Sequence, residues 1–161
     1  MKYIFSLLLY SSLLLASCQQ DELASWHPVD LSSYGVSASL LVPDSSALDI
    51  KTNDLGIMQD ITVQDGEGYS IQIFASQAGK SSSVQKLLQE QKEEVKKHPL
   101  FSRMVEEYPD GFIFENRIDS TTTSFDFRKV KIHQGQEYIF RTGLLGIFTE
   151  EQVKKMYKAI Q

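Results

Sequence analysis

The most continuous apolar pattern in the chain stands at its beginning. After Lys2, an apolar run extends from Tyr3 to Leu15 and is interrupted only by small serines. A helix needs about 20 apolar residues to cross a bilayer, and this run is shorter. A basic start, a short apolar middle and small residues before a polar stretch are typical of a secretory signal peptide rather than a membrane span.

The only cysteine of the chain lies directly after this run, in the string Leu15-Ala16-Ser17-Cys18. That string resembles the lipobox of bacterial lipoprotein signal peptides. The resemblance implies removal of residues 1–17 by cleavage between Ser17 and Cys18, after which Cys18 carries the lipid that binds the protein to the membrane. Two or three acyl chains anchor a small domain stably, whereas one chain does not. The alternative is an ordinary secreted protein with an unmodified thiol.

The four residues after the cysteine are polar or acidic: Gln19, Gln20, Asp21 and Glu22. They resemble the export signal that carries some Bacteroidota lipoproteins to the outer face of the outer membrane. The alternative is a solvated tether with incidental charge. Either way, the resemblance implies a protein anchored in the outer membrane that faces the periplasm or the cell surface.

The polar pattern continues to about residue 33, which predicts a tether over residues 18–33. Trp26, Val29 and Leu31 interrupt it, so we expect its far end to pack onto the body. Residues 34–161 then form a single domain, because this length supports one core and is too short for two.

The first half of this domain has a β pattern followed by a helical one. Alternating residues predict strands over 36–41, 56–63 and 69–75, the last two joined by a turn at Asp65–Gly68. Helical spacing then predicts an amphipathic helix after Ser81–Ser83, with Ser82 and Gln85 at capping-box spacing. A second short helix is predicted over Leu100–Tyr108, which completes a helix pair.

The second half repeats this order of strands and then a helix. Strands are predicted over 112–118, 121–132 and 137–142, with a bulge near Arg128 and a hairpin turn at Gln134-Gly135. Thr149 and Gln152 form a capping box for a final helix. The fold class is therefore α+β: a mainly antiparallel sheet of about six strands, covered on one face by a long helix pair and a C-terminal helix.

This order of elements resembles the PsbP-like fold, which also includes DcrB-type bacterial lipoproteins. Tyr34-Gly35-Val36 to Leu41-Val42-Pro43 resembles its opening strand and closing proline, and the long helix after 69–75 occupies the expected place. The strands over 112–132 and 137–142 and the helix over 149–160 resemble its closing half. The resemblance covers residues 34–161 and implies a non-enzymatic binding or assembly factor. No motif carries functional residues over.

Composition narrows the possible partners. The chain has 16 basic and 21 acidic residues, for a formal net charge of −5. Nucleic-acid phosphates would repel such a protein, so we expect no nucleic-acid partner. Anionic lipid would repel it too, so membrane attachment depends on the acyl chains.

No combination of residues forms a recognisable catalytic or metal motif. Gly79-Lys80-Ser81 lies where a P-loop would, but that motif needs a glycine where this chain has Phe74. The histidines, His27, His98 and His133, lie on different elements without metal-ligand spacing. Four acidic residues of the second half could pair, although a polar strand face explains them equally: Asp110, Glu115, Asp119 and Asp126. The sequence therefore predicts no enzyme, cofactor or metal.

Six aromatic residues fall on three neighbouring predicted strands: Phe112, Phe114, Phe125, Phe127, Tyr138 and Phe140. Most of them should form the core under the helices, and any that project from the other face would form a binding patch. The leading hypothesis is a lipid-anchored envelope module that binds a protein partner or supports envelope assembly. The alternative is a small-ligand binding lipoprotein with a pocket between sheet and helices, and a third possibility is an enzyme with an unrecognised site.

Overall fold

The computed structural model describes residues 23–144 and 146–161. The predicted signal peptide, the cleavage point at Ser17 and Cys18, and the export segment Gln19–Glu22 lie outside the described residues. Within the described ranges, no helix is both long enough and apolar enough to cross a membrane.

Antiparallel strands and two helices make up the described part of the chain. The strands are β1 (His27–Asp30), β2 (Ser39–Val42), β3 (Leu48–Asp54), β4 (Met58–Asp65), β5 (Ser70–Gln77), β6 (Phe101–Tyr108), β7 (Gly111–Arg117), β8 (Thr123–His133) and β9 (Gln136–Thr142), and the helices are α1 (Val84–Lys97) and α2 (Glu150–Lys158). β3 to β9 form one sheet in the order β3-β4-β5-β9-β8-β7-β6, and β1 pairs with β2 alone. The predicted α+β class with a mainly antiparallel sheet is confirmed, with seven strands in the main sheet rather than about six.

The prediction of a second helix over Leu100–Tyr108 is wrong, because this segment is the edge strand β6. Its pairing with β7 shifts register twice, between Phe101 and Arg103 and again between Met104 and Glu106. Each shift adds a residue to the strand, so Phe101 and Met104 face one core although they are three residues apart, and Val105 and Tyr108 face the other core in the same way. That spacing imitates a helix, and the helix pair expected with α1 is absent from the described residues.

The two helices lie on opposite faces of the sheet, so the predicted one-sided cover is also wrong. On one face, the buried Leu87, Leu88 and Val95 of α1 pack with Phe112, Phe114 and Val130 of the sheet. On the other face, Val153, Met156 and Tyr157 of α2 join a larger core that includes β1 and β2. The sheet is therefore the middle layer of the domain.

Strand β8 passes between both cores and contains no bulge. Its register is continuous with both β7 and β9, so the bulge predicted near Arg128 is wrong. Phe125 and Phe127 face the α2 side, whereas Arg128 and Val130 face the α1 side. The apolar parity changes because both faces are buried, not because the strand is irregular.

The six aromatic residues on β7, β8 and β9 are divided between the two cores. Phe112 and Phe114 are buried on the α1 side, and Phe127, Tyr138 and Phe140 on the α2 side, while Phe125 is partly buried. The prediction that most of them form core is confirmed. The N-terminal residues Trp26, Val29 and Leu31 also pack onto the α2-side core, as expected.

Three local predictions, one hairpin turn and two helix caps, can be checked at single residues. The turn at Gln134-Gly135 joins β8 to β9, and both residues have positive φ, 51° and 77°, as in a type I′ turn. The capping box of Thr149 and Gln152 at the start of α2 is confirmed. The cap of α1, however, is Ser83 rather than Ser82, since the Ser83 Oγ accepts the Lys86 N–H at 3.2 Å.

Candidate functional site

Helix α1 covers only part of its face of the sheet and leaves a cleft beside it. α1 packs against β8 and β6 and its core reaches Ile139 of β9, whereas Arg141 and Thr142 of β9 line the cleft. The cleft has a volume of about 310 Å³. Its walls come from the C-terminal part of α1, the ends of β7, β8 and β9, and the loop after β9; the polar lining includes Glu94, His98, Asn116, Asp126, Arg128 and Arg141.

Two arginines meet in this cleft as direct neighbours on adjacent strands. The register of β8 and β9 places Arg128 opposite Arg141. Like charges directly opposite each other on a sheet are destabilising. The pair is therefore a feature that the surrounding residues must compensate.

Arg128 is compensated by its neighbours. Its side chain is only 9% exposed and its Nη1 forms an ion pair with Asp126 Oδ2 at 2.9 Å. The same nitrogen donates to the Phe127 carbonyl oxygen at 2.9 Å. The guanidinium also lies over the Phe114 ring, 5.3 Å from its centroid, where the ring face attracts a cation. Asp126 is fixed in turn, since it accepts hydrogen bonds from the N–H and hydroxyl of Thr142.

Arg141 is held in place without an ion pair in the described part of the chain. Its Nε donates to Gln72 Oε1 at 3.0 Å, and Gln72 is fixed by donating to Asp60 at 2.8 and 3.0 Å. The guanidinium lies 5.3 Å from the centroid of the Phe74 ring. These contacts orient the Arg141 side chain. Its two Nη groups form no ion pair with any described residue.

The electrostatics of Arg141 reflect this arrangement. Burial lowers the pKa of its guanidinium, and the adjacent charge of Arg128 lowers this pKa further. The carboxylates of Asp126, Glu94 and Asp60 act in the opposite direction without restoring the usual pKa. An anion in the cleft would supply the missing compensation for the second positive charge.

The cleft also contains an unused hydrogen-bond acceptor. The Oδ1 atom of Asn116 is buried and has no hydrogen-bond partner among the described residues. A buried polar group without a partner is costly, and it is commonly paired by water or by a ligand. The arrangement thus offers guanidinium donors from two arginines and one free acceptor at the same site.

The acidic residues singled out in the sequence do not converge on one site. Asp110 accepts the Tyr157 hydroxyl, Glu115 pairs with Arg103, and Asp119 accepts the amides of the turn that follows it. Each of these carboxylates has a structural partner, and Asp126 alone of the four lies in the cleft.

The histidines and the P-loop-like string are also dispersed. His98 follows the C-terminus of α1 and lines the cleft, whereas His27 lies on β1 and His133 ends β8. Across the described ranges, no group of three or more His, Cys, Asp or Glu residues is placed to hold a metal ion. Gly79-Lys80-Ser81 forms a turn before α1.

Sequence reasoning missed the arginine pair, although one signal could have revealed it. A two-residue turn at Gln134-Gly135 pairs His133 with Gln136, and counting outward along both strands brings Arg128 opposite Arg141. The predicted hairpin gives this pairing only where β8 is regular, and the bulge predicted near Arg128 would shift it. The depth of the two side chains did not follow, because it depends on α1 covering this face.

No protein-family model matches the chain, and a search of curated proteins finds no match.

Proposed function

We propose that this chain is a lipid-anchored, non-enzymatic binding module of the bacterial cell envelope that holds a small anionic ligand in its arginine cleft. The observation that carries the binding function is Arg141, whose guanidinium is oriented by Gln72 and Phe74 but forms no ion pair within the described ranges. The anchor rests on Cys18 and the apolar run before it.

The chemistry of the cleft favours a carboxylate or phosphate group. A guanidinium presents its N–H donors in a planar fork that matches the oxygens of both groups. Arg128 keeps one nitrogen on Asp126, so Arg141 provides the uncommitted charge. A volume of about 310 Å³ lies at the lower end of the usual range for small-molecule sites.

Binding can be tested by NMR titration of the lipidated protein in detergent micelles with acetate, benzoate and inorganic phosphate. We expect at least one anion to shift the signals of Arg128, Arg141 and Asn116 in a saturable manner. Arg141→Gln should weaken that binding at least tenfold, because it removes the uncommitted charge. Arg117→Gln, which removes an exposed arginine outside the cleft lining, should leave it unchanged. No shift with any of the three anions, or equal binding by Arg141→Gln, would contradict the proposal.

The anchor has its own test. Mass spectrometry of the mature N-terminus should find Cys18 as the first residue, with the added mass of diacylglycerol and a further acyl chain. A Cys18→Ala protein should leave the membrane fraction. An unmodified Cys18 thiol would contradict this part of the proposal, and so would a Cys18→Ala protein that sediments with vesicles as fully as the native protein.

A second candidate is the docking of a protein partner on the tip of the β3–β4 hairpin. It is favoured by the exposure of Leu55 and of Ile57, whose side chain is 86% exposed. The open sheet face beside α1 is less suitable, since polar residues such as Asp60, Thr62 and Gln72 line it. A photo-crosslinker at position 57 should then capture one stoichiometric envelope protein, and capture of none would count against this candidate.

A further inference from the structure

Four exposed apolar side chains lie together at one end of the seven-stranded sheet. Leu144 and Ile147 in the β9–α2 loop are 73% and 64% exposed, Ile118 after β7 is 43% exposed, and Leu100 before β6 is 36% exposed. We call this group the loop end. Exposed apolar side chains that occur singly need no explanation, but a group on neighbouring loops marks an interaction surface.

Hydrogen bonds hold these loops side by side. The Arg117 N–H donates to the Leu100 carbonyl oxygen at 2.8 Å, which joins the β6 and β7 ends of the group. The Phe125 N–H donates to the Phe148 carbonyl oxygen at 2.9 Å, which fixes the β9–α2 loop beside the start of β8. Ile118 and Leu144 line the same cleft, which makes the two pairs of loops neighbours.

The described chain enters the body at this same end. The Trp26 ring packs edge-on against Tyr69, with 5.5 Å between the ring centroids. Tyr69 directly precedes β5, and the carbonyl oxygen of the next residue, Ser70, accepts the Gly143 N–H at 2.9 Å. Leu23, just before Trp26, is buried in the same core. The N-terminal entry and the β9–α2 loop are thus neighbours.

The distance to the proposed anchor is short. Five peptide steps separate Cys18 from Leu23, and a fully extended chain of that length spans at most about 18 Å. Strands of seven or eight residues, such as β4 and β5, are about 24–27 Å long. A lipid on Cys18 would therefore hold the loop end close to the bilayer, while the Leu55–Ile57 tip lies at the other end of these strands.

We infer that the loop end is a membrane-contact surface, which places its apolar side chains among the lipid headgroups of the bilayer that holds the anchor. This inference rests on the proposed lipidation of Cys18. Charge does not provide the attraction, because the exposed acidic residues Glu67, Asp119 and Glu151 are balanced by the exposed basic residues of this end, which are Arg117 and, at the C-terminus of α1, Lys96 and Lys97. The fitting surface is accordingly a neutral, zwitterionic bilayer contacted through apolar side chains.

The single cysteine of the chain makes a direct test possible. If Cys18 carries lipid, an introduced cysteine is the only thiol available to a maleimide fluorophore. The test compares the full-length lipoprotein carrying Ile147→Cys with the same protein carrying Ile57→Cys, each labelled with an environment-sensitive fluorophore and reconstituted into phosphatidylcholine vesicles. Leu144→Cys provides a second loop-end position if Ile147→Cys does not fold.

We expect the label at position 147 to shift to shorter emission wavelength and to be quenched at least twofold by doxyl-labelled phosphatidylcholine. The label at position 57 should keep its aqueous spectrum. Equal, aqueous behaviour at both positions would overturn the inference, and so would a position-147 shift that requires added envelope protein, since the surface would then bind a protein. Labelling of the protein without an introduced cysteine would instead show a free Cys18 thiol and contradict the proposed anchor itself.

Discussion

Tyr157 links several elements at the centre of the α2 face. Its ring stacks on Tyr108 with centroids 4.4 Å apart, and its hydroxyl donates to Asp110 Oδ1 at 2.5 Å. Burial is the main reason that its pKa is raised, and the hydrogen bond to Asp110 and the charges of Asp110 and Glu106 add to this. Burial, followed by a hydrogen bond to Glu106 and the charge of Glu106, raises the pKa of Tyr108 to about 12.

These raised pKa values predict a loss of stability in alkali. The folded protein keeps the Tyr157 proton above pH 10, whereas the unfolded chain releases it near its ordinary pKa of about 10. The free energy of unfolding therefore falls as pH rises above about 10, by about 1.4 kcal/mol per pH unit for each such tyrosine. Lys129, whose pKa is lowered chiefly by burial, contributes with the opposite sign.

Substitution isolates the contribution of Tyr157, because Lys129 remains in every variant. Tyr157→Phe should remove about 1 kcal/mol of the fall in unfolding free energy between pH 10 and 11, as measured by urea unfolding. Tyr34→Phe, at an exposed position, is the matched control and should follow the native curve. Parallel curves for Tyr157→Phe and the native protein would refute the assignment.

At the scale of elements, the structure shows which of two adjacent serines caps the N-terminus of α1, a choice that the sequence alone could not make correctly. Ser83 Oγ accepts the Lys86 N–H, while Ser82 Oγ donates to Glu137 at 3.2 Å. Ser83→Ala should speed hydrogen exchange of the Lys86 amide several-fold and cost about 1 kcal/mol of stability. Ser82→Ala should leave that amide protected. Faster exchange in Ser82→Ala and not in Ser83→Ala would show that the cap predicted from the sequence was right.

Periodicity predicted the elements whose burial is one-sided and failed where it is not. The α1 stripe of Leu87, Leu88 and Val95 and the β4–β5 hairpin match the structure, because each presents one apolar face. The sequence of β6 resembles a helix because its register shifts change the spacing of its apolar residues, and the sequence of β8 resembles a bulged strand because both of its faces are buried. Local patterns carry no information about which layer lies on the second face.

The candidate site shows that local sequence predicts which residues pair across two strands but not whether they are buried. The turn at Gln134-Gly135 could be read from the sequence and determines that Arg128 faces Arg141. Their burial depends on α1, which packs across the sheet from a distant part of the chain. The pair can therefore be recognised as a candidate site for an anion only from the tertiary arrangement.

At the scale of the whole molecule, the described residues form two cores that share one sheet. β8 contributes Phe127 to the α2-side core and Val130 to the α1-side core, three residues apart on one strand. Neither core can lose its sheet face without disrupting the other. A domain built in this way should unfold in one cooperative transition rather than in two.

The single tryptophan makes this cooperativity measurable. Trp26 reports on the α2-side core through its contact with Tyr69, whereas α1, the longer helix, dominates the helical signal in far-UV circular dichroism. Leu88→Ala removes a buried side chain from the α1-side core and should lower the free energy of unfolding by about 2–3 kcal/mol. Because the sheet is shared, the urea midpoints of both signals should fall by the same amount, although Leu88 lies on the face opposite to Trp26. Leu55→Ala, at the exposed hairpin tip, should move neither signal appreciably. A helical signal that shifts in Leu88→Ala while the Trp26 transition stays at its native midpoint would mean that the two layers unfold independently.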